Sequence, residues 1–300
     1  MMKKKIFLLQ IILLLCTHLS IAQHSTGHSV QQQLEVLIRE HKGTIGVALR
    51  AGDDAVQINN EHHYPMQSVY KFPLALAVLK KVEEGTLSLE QKIHIGKADL
   101  HKNTWSPMRE QYPKGNIDLS VAELLRFSVS MSDNNACDIL FRLAGGPAVV
   151  NEYIHSIGIR DIQIAATEHG MHQSWPVQYS NWCTPSAMTD MLSGFYAGKY
   201  LSPSGTAFLL KLMTESSNSE KRIKGLLPAA VSVAHKTGSS GTNKAGLTAA
   251  TNDVGIITLP DGKPLMITVF VSDATASYEA NEAIIARIAK AAYDHYSGSQ

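Results

Sequence analysis

Ser68 and Lys71 lie three residues apart, directly before an apolar run that ends at Leu79. If this stretch is helical, the spacing places both side chains on one face about one turn apart, so that the lysine amine reaches the serine hydroxyl. The start of a helix adds unpaired N–H groups and a positive field, which favour negative charge developing at Ser68. These residue types therefore predict a serine nucleophile with a neighbouring amine, an arrangement suited to acyl transfer.

The same pattern has an ordinary explanation when it is taken alone. In many chains such a serine caps a helix and such a lysine is solvated. Pro73 adds a constraint, because it has no N–H and lies where the first intrahelical hydrogen bonds form. We expect the first turn after Ser68 to be irregular, or the helix to begin one or two residues later.

Two further motifs contain groups that can act on the same chemistry. Ser132-Asp133-Asn134 lies between two predicted helices, and Lys236-Thr237-Gly238 ends a predicted strand. Each motif is common by itself. In the order S-x-x-K, S-D-N, K-T-G they form the pattern of penicillin-recognising serine enzymes, which makes the set specific.

The elements that must position these motifs follow from the hydrophobic pattern. Helical periodicity covers residues 30–40, strand patterns follow at 44–50 and 55–59, and mostly helical patterns extend from Ser68 to about residue 213. Strand patterns return at 231–237, 250–259 and 265–272, before a closing helix at 278–293. This order predicts one antiparallel sheet built from both ends of the chain, with a helical domain inserted and Ser68 at the seam.

The N-terminus has the features of a secretory leader. A basic region at residues 3–5 precedes an apolar stretch to Cys16, and a small-x-small site ends at Ala22. Lipid attachment at Cys16 is the alternative, but Leu15 is bulkier than such a site normally accepts. The predicted organisation is a signal peptide at 1–22, an α/β domain at 23–66 and 216–300, and an all-α domain at 67–215, in a periplasmic or secreted protein.

Composition excludes several classes of partner. The 300-residue chain is 44% hydrophobic and 18% charged, as globular proteins are. Loss of three leader lysines leaves 27 − 3 = 24 basic against 26 acidic residues, with no basic run for nucleic acid or a membrane surface. No other stretch approaches ~18 consecutive apolar residues. We expect a monomer without membrane association after processing, whose partner is a small molecule.

Cysteines and histidines give no metal or disulfide framework. Cys137 and Cys183 remain after processing, and Cys137 is expected to pack as a small hydrophobe. His169 and His172 have H-x-x-H spacing, but neither H-E-x-x-H nor a Cys/His cluster accompanies them. The sequence predicts neither a metal nor a cofactor.

Nearly the whole mature chain resembles the class A serine β-lactamases, and most closely their PER-type extended-spectrum branch. The similar stretches are Met66–Lys71, Asn103–Trp105, Ser128–Asn134, Gln178–Trp182, Lys224–Pro228, Ala234–Gly238 and Thr248–Asp253. The resemblance implies the serine β-lactamase/transpeptidase-like α/β fold, with an antiparallel five-stranded sheet flanked by helices and an inserted all-α domain. It implies hydrolysis of penicillins and cephalosporins through an acyl-enzyme. Resemblance to the PER-type branch implies extended-spectrum activity in addition.

The resemblance also implies a catalytic role for each matched position. Ser68 would be the nucleophile, Lys71 its proton acceptor or relay, and Ser132 the donor of a proton to the β-lactam nitrogen. Glu168 would activate the deacylating water, although a single loop acid is by default a solvated carboxylate. The family's usual asparagine four residues later is His172 here, so the group that positions the water is left open.

Substrate-binding roles follow from the same resemblance. Asn134 would bind the substrate's side-chain amide, or else cap the next helix, and Lys236 with Thr237 would hold its carboxylate, unless Lys236 is a strand-edge charge. Backbone N–H groups of Ser68 and Ser239 would form the oxyanion hole. Trp105 would stand at the cleft mouth or pack in the core, and Arg222 would support the carboxylate or be solvated at the surface. The Gly-rich stretch 239–246 would widen the cleft.

Two other functions remain open from the sequence. A DD-peptidase or transpeptidase shares the three motifs but lacks an efficient deacylation base. A β-lactam-binding sensor domain would bind the ligand without turnover, although no transmembrane segment follows the leader in the sequence.

Overall fold

Helices and strands alternate along the chain in the predicted order. The computed structural model describes residues 25–217 and 220–298, so the predicted leader at 1–22 lies outside the described residues. The helices are α1 Ser25–Ile38, α2 Lys71–Glu83, α3 Pro107–Gln111, α4 Val121–Ser130, α5 Asn134–Ala144, α6 Pro147–Ser156, α7 Glu168–Met171, α8 Pro185–Tyr196, α9 Pro203–Thr214 and α10 Tyr278–Ser297. The strands are β1 Thr44–Ala51, β2 Asp54–Ile58, β3 Tyr64–Pro65, β4 Lys92–Ile95, β5 Ile117–Ser120, β6 Ile162–Gln163, β7 Trp182–Cys183, β8 Val233–Ser239, β9 Thr248–Thr258 and β10 Pro264–Ala274.

The main sheet contains five antiparallel strands in the order β2-β1-β10-β9-β8. β1 pairs with β10 in the register Val47↔Val269, and β8 pairs with β9 in the register Thr237↔Asp253. Strands from the two ends of the chain therefore share one sheet, and the predicted fold class is confirmed. β8 extends two residues past its predicted end because Gly238 and Ser239 continue the ladder.

Hydrophobic cores lie on both faces of the sheet. On one face α1 and α10 cover the strands, with Leu34 and Ile285 in the same cluster as Val47. On the other face the helices α2, α4, α5, α8 and α9 pack together, and Phe270 of β10 belongs to that cluster. Because both faces are covered, β9 is buried along almost its whole length, including its polar residues Thr251, Asn252 and Asp253.

The nucleophile region begins with a short 3₁₀ turn, Gln67–Tyr70, which leads directly into α2. The predicted irregular first turn is therefore observed. Pro73 is the third residue of α2, where a backbone N–H has no intrahelical partner, so the proline removes no helical hydrogen bond. Residues 71–79 are all buried, which places the start of α2 inside the protein.

Local signals in the sequence account for several element ends. Ser120 and Glu123 form the predicted capping box of α4, and α5 ends at Gly145 in the left-handed conformation. Cys137 and Cys183 are buried and unpaired, and Cys137 packs in the core as predicted. Among the described residues, no helix is both long enough and apolar enough to cross a bilayer.

Candidate active site

The 3₁₀ turn and α2 bring the Ser68 hydroxyl to the Lys71 amine. Lys71 Nζ lies 2.9 Å from Ser68 Oγ, as the three-residue spacing predicts. Lys71 is completely buried, whereas Ser68 lines an open cleft. The nucleophile is therefore reachable from solvent, and its neighbouring amine is not.

Oxygen atoms from three other segments surround the Lys71 amine. Its Nζ lies 2.8 Å from Ser132 O, 3.5 Å from Ser132 Oγ, 2.5 Å from Asn134 Oδ1 and 3.0 Å from Glu168 Oε1. The structure thus brings the predicted residues Ser68, Ser132, Asn134 and Glu168 together around one amine. A proton on Lys71 is within hydrogen-bond distance of both serine hydroxyls and of a carboxylate.

Lys236 approaches Ser132 from the sheet side. Its Nζ donates to Ser132 Oγ at 2.9 Å and to Thr237 O at 3.0 Å. Lys236 is fully buried, so it is not a strand-edge charge. Burial, followed by repulsion from Lys71, lowers the pKa of Lys236 well below its usual value.

Asp133 holds the Ser132 turn and was not predicted as a site residue. Its carboxylate accepts hydrogen bonds from the N–H groups of Met108 (2.6 Å) and Ala136 (2.8 Å) and from Ser106 Oγ (2.9 Å). Asp133 is therefore the cap of α5, and the alternative in which Asn134 caps that helix is wrong. Desolvation raises the pKa of Asp133 despite these donors. The anchored turn keeps Ser132 at its unusual φ of 55°.

Glu168 begins the one-turn helix α7 and is only 5% exposed, so the solvated-carboxylate alternative is wrong. Its Oε1 lies 3.4 Å from Ser68 Oγ, close enough for a group between the two residues to contact both. Asp138 of α5 fixes this turn by accepting the N–H groups of Glu168 at 2.7 Å and His169 at 2.9 Å. Asp138 was missed, although an acid within the apolar α5 sequence was a possible signal.

His172 contacts Thr104, the residue before Trp105. Its Nε2 lies 3.3 Å from Thr104 Oγ1, which also accepts a hydrogen bond from Asn134 Nδ2 at 2.6 Å. His169 instead stacks on His101, with ring centroids 4.4 Å apart. The H-x-x-H pair therefore points to two different neighbours, and His172 is linked through Thr104 to a predicted substrate-binding residue.

The environments of Trp105 and Arg222 exclude the two alternatives, core packing for Trp105 and a solvated surface position for Arg222. Trp105 is 56% exposed at the cleft and donates from Nε1 to Met131 O at 3.0 Å, so it does not pack in the core. Arg222 is 1% exposed, so it is not a surface residue.

The Arg222 guanidinium holds the end of β8 through hydrogen bonds. It pairs with Glu282 at 3.2 Å, donates to Gly238 O at 3.0 Å, and reaches Ser239 Oγ at 2.7 Å. Because Ser239 lines the cleft, Arg222 acts on the cleft surface through this hydroxyl.

These groups border one cleft of about 920 Å³. It is lined by Ser68 and Ser132, by Thr237 and Ser239 of β8, and by residues of the segment from Glu168 to Gln178. Ser240 and Gly241 of the Gly-rich loop lie at its edge. The volume is large enough for a drug-sized ligand.

Sequence comparisons place the chain among named enzymes. A family model described as "Beta-lactamase enzyme family" matches residues 29–296. The chain is 46% identical over 266 residues to "Extended-spectrum beta-lactamase PER-1" of Pseudomonas aeruginosa, covering 88% of this chain and 86% of that protein. It is 45% identical over 268 residues to "Beta-lactamase VEB-1" of the same organism, covering 88% and 89%.

Solved structures give the same result. The chain matches TLA-1 extended-spectrum beta-lactamase with a TM-score of 0.89 and 48% identity, covering 91% of this chain and 100% of that one. A class A beta-lactamase from Bacteroides cellulosilyticus matches with a TM-score of 0.88 and 39% identity, covering 92% and 99%.

Proposed function

The chain belongs to the class A β-lactamases and is a β-lactam hydrolase, and from that premise we propose that it opens penicillins and cephalosporins through an acyl-enzyme on Ser68. Ser68 Oγ forms a bond to the lactam carbonyl carbon while its proton passes to Lys71 in its neutral form. The 2.9 Å separation of Oγ and Nζ supports this transfer. Backbone N–H groups of Ser68 and Ser239 would stabilise the oxyanion, each by about 3 kcal/mol.

Ring opening needs a proton on the departing nitrogen. As the carbon–nitrogen bond breaks, Ser132 Oγ gives its proton to that nitrogen and takes one from Lys71, whose Nζ lies 3.5 Å away. Lys236, 2.9 Å from the same hydroxyl, stabilises the negative charge that develops on Ser132. The net transfer moves the Ser68 proton to the lactam nitrogen without consuming a group of the enzyme.

The remaining site residues are proposed to hold the substrate. Lys236 and Thr237 bind its carboxylate, with Arg222 supporting the adjacent Ser239 hydroxyl at 2.7 Å. Asn134 binds the side-chain amide, and Trp105 covers the acyl group at the cleft mouth. The ammonium group of the buried Lys236 favours an anionic ligand at this end of the cleft.

Glu168 is the proposed base for deacylation. It takes a proton from a water molecule whose oxygen bonds to the ester carbon, and it returns that proton to Ser68 Oγ, 3.4 Å away, as the ester bond breaks. The observation that carries this proposal is the position of the buried Glu168 carboxylate, 3.4 Å from Ser68 Oγ and 3.0 Å from Lys71 Nζ. Since the DD-peptidase alternative lacks an efficient deacylation base, a buried carboxylate at this place favours the β-lactam hydrolase.

The decisive experiment replaces the base alone. We expect Glu168→Gln to acylate with benzylpenicillin and then to accumulate the covalent adduct, seen by mass spectrometry, while steady-state turnover falls at least about 100-fold. Ser68→Ala should give no adduct, and the exposed Glu90→Gln should behave as the parent enzyme. Unchanged turnover in Glu168→Gln shows that another group is the base, and a parent adduct that persists for hours indicates a DD-peptidase or a sensor.

Extended-spectrum activity is proposed from two observations. The PER-1 and TLA-1 relatives are named extended-spectrum enzymes, and the cleft of about 920 Å³ is bordered by Ser240 and Gly241 of the Gly-rich loop. Bulky cephalosporin side chains would lie between that loop and the wall ending at Gln178. No metal or cofactor has a role in these steps.

Cellular location, oligomeric state and domain division are proposed from the sequence alone. We propose cleavage after Ala22, release into the periplasm or medium, and a monomeric enzyme whose partner is the β-lactam itself. The division into an α/β domain at 23–66 and 216–300 and an all-α domain at 67–215 is proposed on the same basis.

A further inference from the structure

Gln67, the residue before the nucleophile, makes a hydrogen bond across the cleft floor. Its Nε2 donates to Gln178 Oε1 at 3.0 Å, and both glutamines are only 8% exposed. Gln178 in turn donates from Nε2 to Trp175 O at 3.0 Å. This second bond fixes which amide atom of Gln178 is the acceptor, because a carbonyl oxygen can only accept.

The Gln67 backbone is confined on the side facing the sheet. Gly238 of β8 lies so close that a Cβ there would collide with Met66 O and come within 3.2 Å of Gln67 Cβ. Asn252 Nδ2 donates to Met66 O at 3.1 Å. Gln67 itself has a φ of 49°, a conformation that non-glycine residues rarely adopt. The surroundings must therefore hold this turn in place.

Gln178 lies in the 3₁₀ turn Trp175–Tyr179, and Trp175 and Gln178 form part of the cleft wall. Tyr179 anchors the end of that turn, since its hydroxyl donates to Asp273 Oδ1 at 2.5 Å. The Gln67–Gln178 hydrogen bond therefore joins a wall that is anchored on the sheet to the turn that carries Ser68.

From this geometry we infer that Gln67 and Gln178 are positioning residues for acylation. The bond between their amides keeps Gln67 in its left-handed backbone conformation. It thereby sets the position of Ser68, including its backbone N–H, relative to the bound lactam carbonyl. Neither glutamine moves a proton. The inference rests on the Ser68 acyl-enzyme proposed above and adds residues that the three motifs do not contain.

The test is a double-mutant cycle of Gln67→Met, Gln178→Met and the double variant, since methionine keeps the length of the side chain and removes its amide. We expect each single variant to lower the acylation rate constant at saturating benzylpenicillin about tenfold, because a buried amide loses its partner. The dissociation constant of the initial noncovalent complex should change little. The double variant should acylate no more slowly than the slower single variant, because no unpaired amide of the pair remains.

Gln111→Met is the matched control, because it removes an exposed glutamine bond to Tyr112, 2.8 Å long, outside the cleft. Circular dichroism and thermal unfolding report whether each variant is folded, and Gln178→Ala replaces any methionine variant that is not. Unchanged acylation in the single variants, or losses that multiply in the double variant, would overturn the inference. Absence of any adduct in the parent enzyme would instead refute the Ser68 acyl-enzyme.

Discussion

Two buried lysines approach one serine hydroxyl at the centre of the site. Lys236 Nζ is 2.9 Å from Ser132 Oγ, and Lys71 Nζ is 3.5 Å from it. Burial, followed by repulsion from Lys71, lowers the pKa of Lys236, so its ammonium form is costly until an anion pairs with it. The site is therefore organised to receive a negative charge, and the substrate carboxylate would supply it.

The lowered pKa of Lys236 leads to a prediction about substrate binding. As pH rises through that pKa, Lys236 loses its charge. We therefore expect KM for benzylpenicillin to begin rising at a pH below the usual pKa of lysine. In Lys236→Arg the guanidinium stays protonated, and the rise in KM should move to higher pH, with kcat/KM near neutral pH reduced by no more than about tenfold. Steady-state kinetics across pH measures both effects.

The exposed Lys263→Arg substitution provides a matched control, because Lys263 lies in a turn far along the chain from the three motifs and its side chain is 76% exposed. It should keep the pH profile of the parent enzyme. An identical alkaline rise in the parent and in Lys236→Arg would show that another group titrates.

Sequence reasoning identified the residues with reactive groups but missed those that hold them. Ser68, Lys71, Ser132 and Lys236 belong to short motifs whose residue types carry the chemistry. Asp133 and Asp138 act by accepting N–H groups from remote segments, at Met108 and at Glu168 respectively. Such contacts depend on how loops meet in space, and the spacing of residues along a chain does not record this.

At the scale of elements, the closest backbone approach lies between β8 and the nucleophile turn. Gly238 has room for no side chain, because a Cβ would meet Met66 O. The same strand carries Lys236, Thr237 and Ser239 to the cleft. The distance between the proposed nucleophile, Ser68, and the strand proposed to bind the substrate carboxylate is thus limited by one glycine.

Gly238→Ala should separate these two elements. We expect a loss of unfolding free energy of about 1–3 kcal/mol, because the added methyl group contacts rigid backbone, and a larger loss of acylation rate than of substrate affinity. Urea unfolding and single-turnover kinetics measure the two quantities. Gly96→Ala is the control, since its Cβ would make only an ordinary 3.6 Å contact with Asp99. Parent-like stability and acylation in Gly238→Ala would refute the close-contact argument.

The helix and strand positions were predictable because their signals are local. The capping box at Ser120 and the glycine after α5 predicted those helix ends within one or two residues. One-turn elements were not predicted: α7 and the turn Trp175–Tyr179 are too short to show a period. Their conformation depends on tertiary partners such as Asp138 and Gln67.

At the scale of the whole molecule, burial protects many weak acids from ionisation. Within residues 25–217 and 220–298, desolvation is the main cause that raises the pKa of six tyrosines and two cysteines. These are Tyr64, Tyr70, Tyr153, Tyr179, Tyr200, Tyr296, Cys137 and Cys183. The unfolded chain would lose these protons at lower pH than the folded protein does.

Stability should therefore fall on the alkaline side. Above about pH 8.5 for cysteine and about pH 10 for tyrosine, the folded state holds more protons than the unfolded state, so the unfolding free energy decreases as pH rises. The lowered pKa of Lys236 has the opposite effect on the unfolding free energy, but it is one group, whereas six tyrosines and two cysteines lower that free energy as pH rises. Urea unfolding at several pH values, with tyrosinate absorbance, measures the effect.

Tyr153→Phe tests the source of this fall. Its hydroxyl is buried without a hydrogen-bond partner, so the substitution removes a titrating group without removing a hydrogen bond. The decrease in unfolding free energy with pH should be shallower in this variant. An unfolding free energy that is constant across the alkaline range in the parent would contradict the prediction.

Fold class and family were both predictable from the sequence and are confirmed. The return of strand patterns after residue 231 indicated a sheet shared by the two ends of the chain, and the order of three motifs indicated the family. The strand order β2-β1-β10-β9-β8 could not be derived, because β1 and β2 carry the same alternation whichever strand they adjoin.

The pairing of β1 with β10 also determines when the protein can fold. Roughly 200 residues separate these strands, which a ribosome adding about 5–20 residues per second needs about 10–40 s to synthesise. Until then β1 and β2 form only a two-stranded ribbon, which is marginally stable in water. The sheet can close only after β10 has been synthesised, because β10 lies between β1 and β9 in the strand order. The enzyme therefore completes its main sheet in a late step of synthesis.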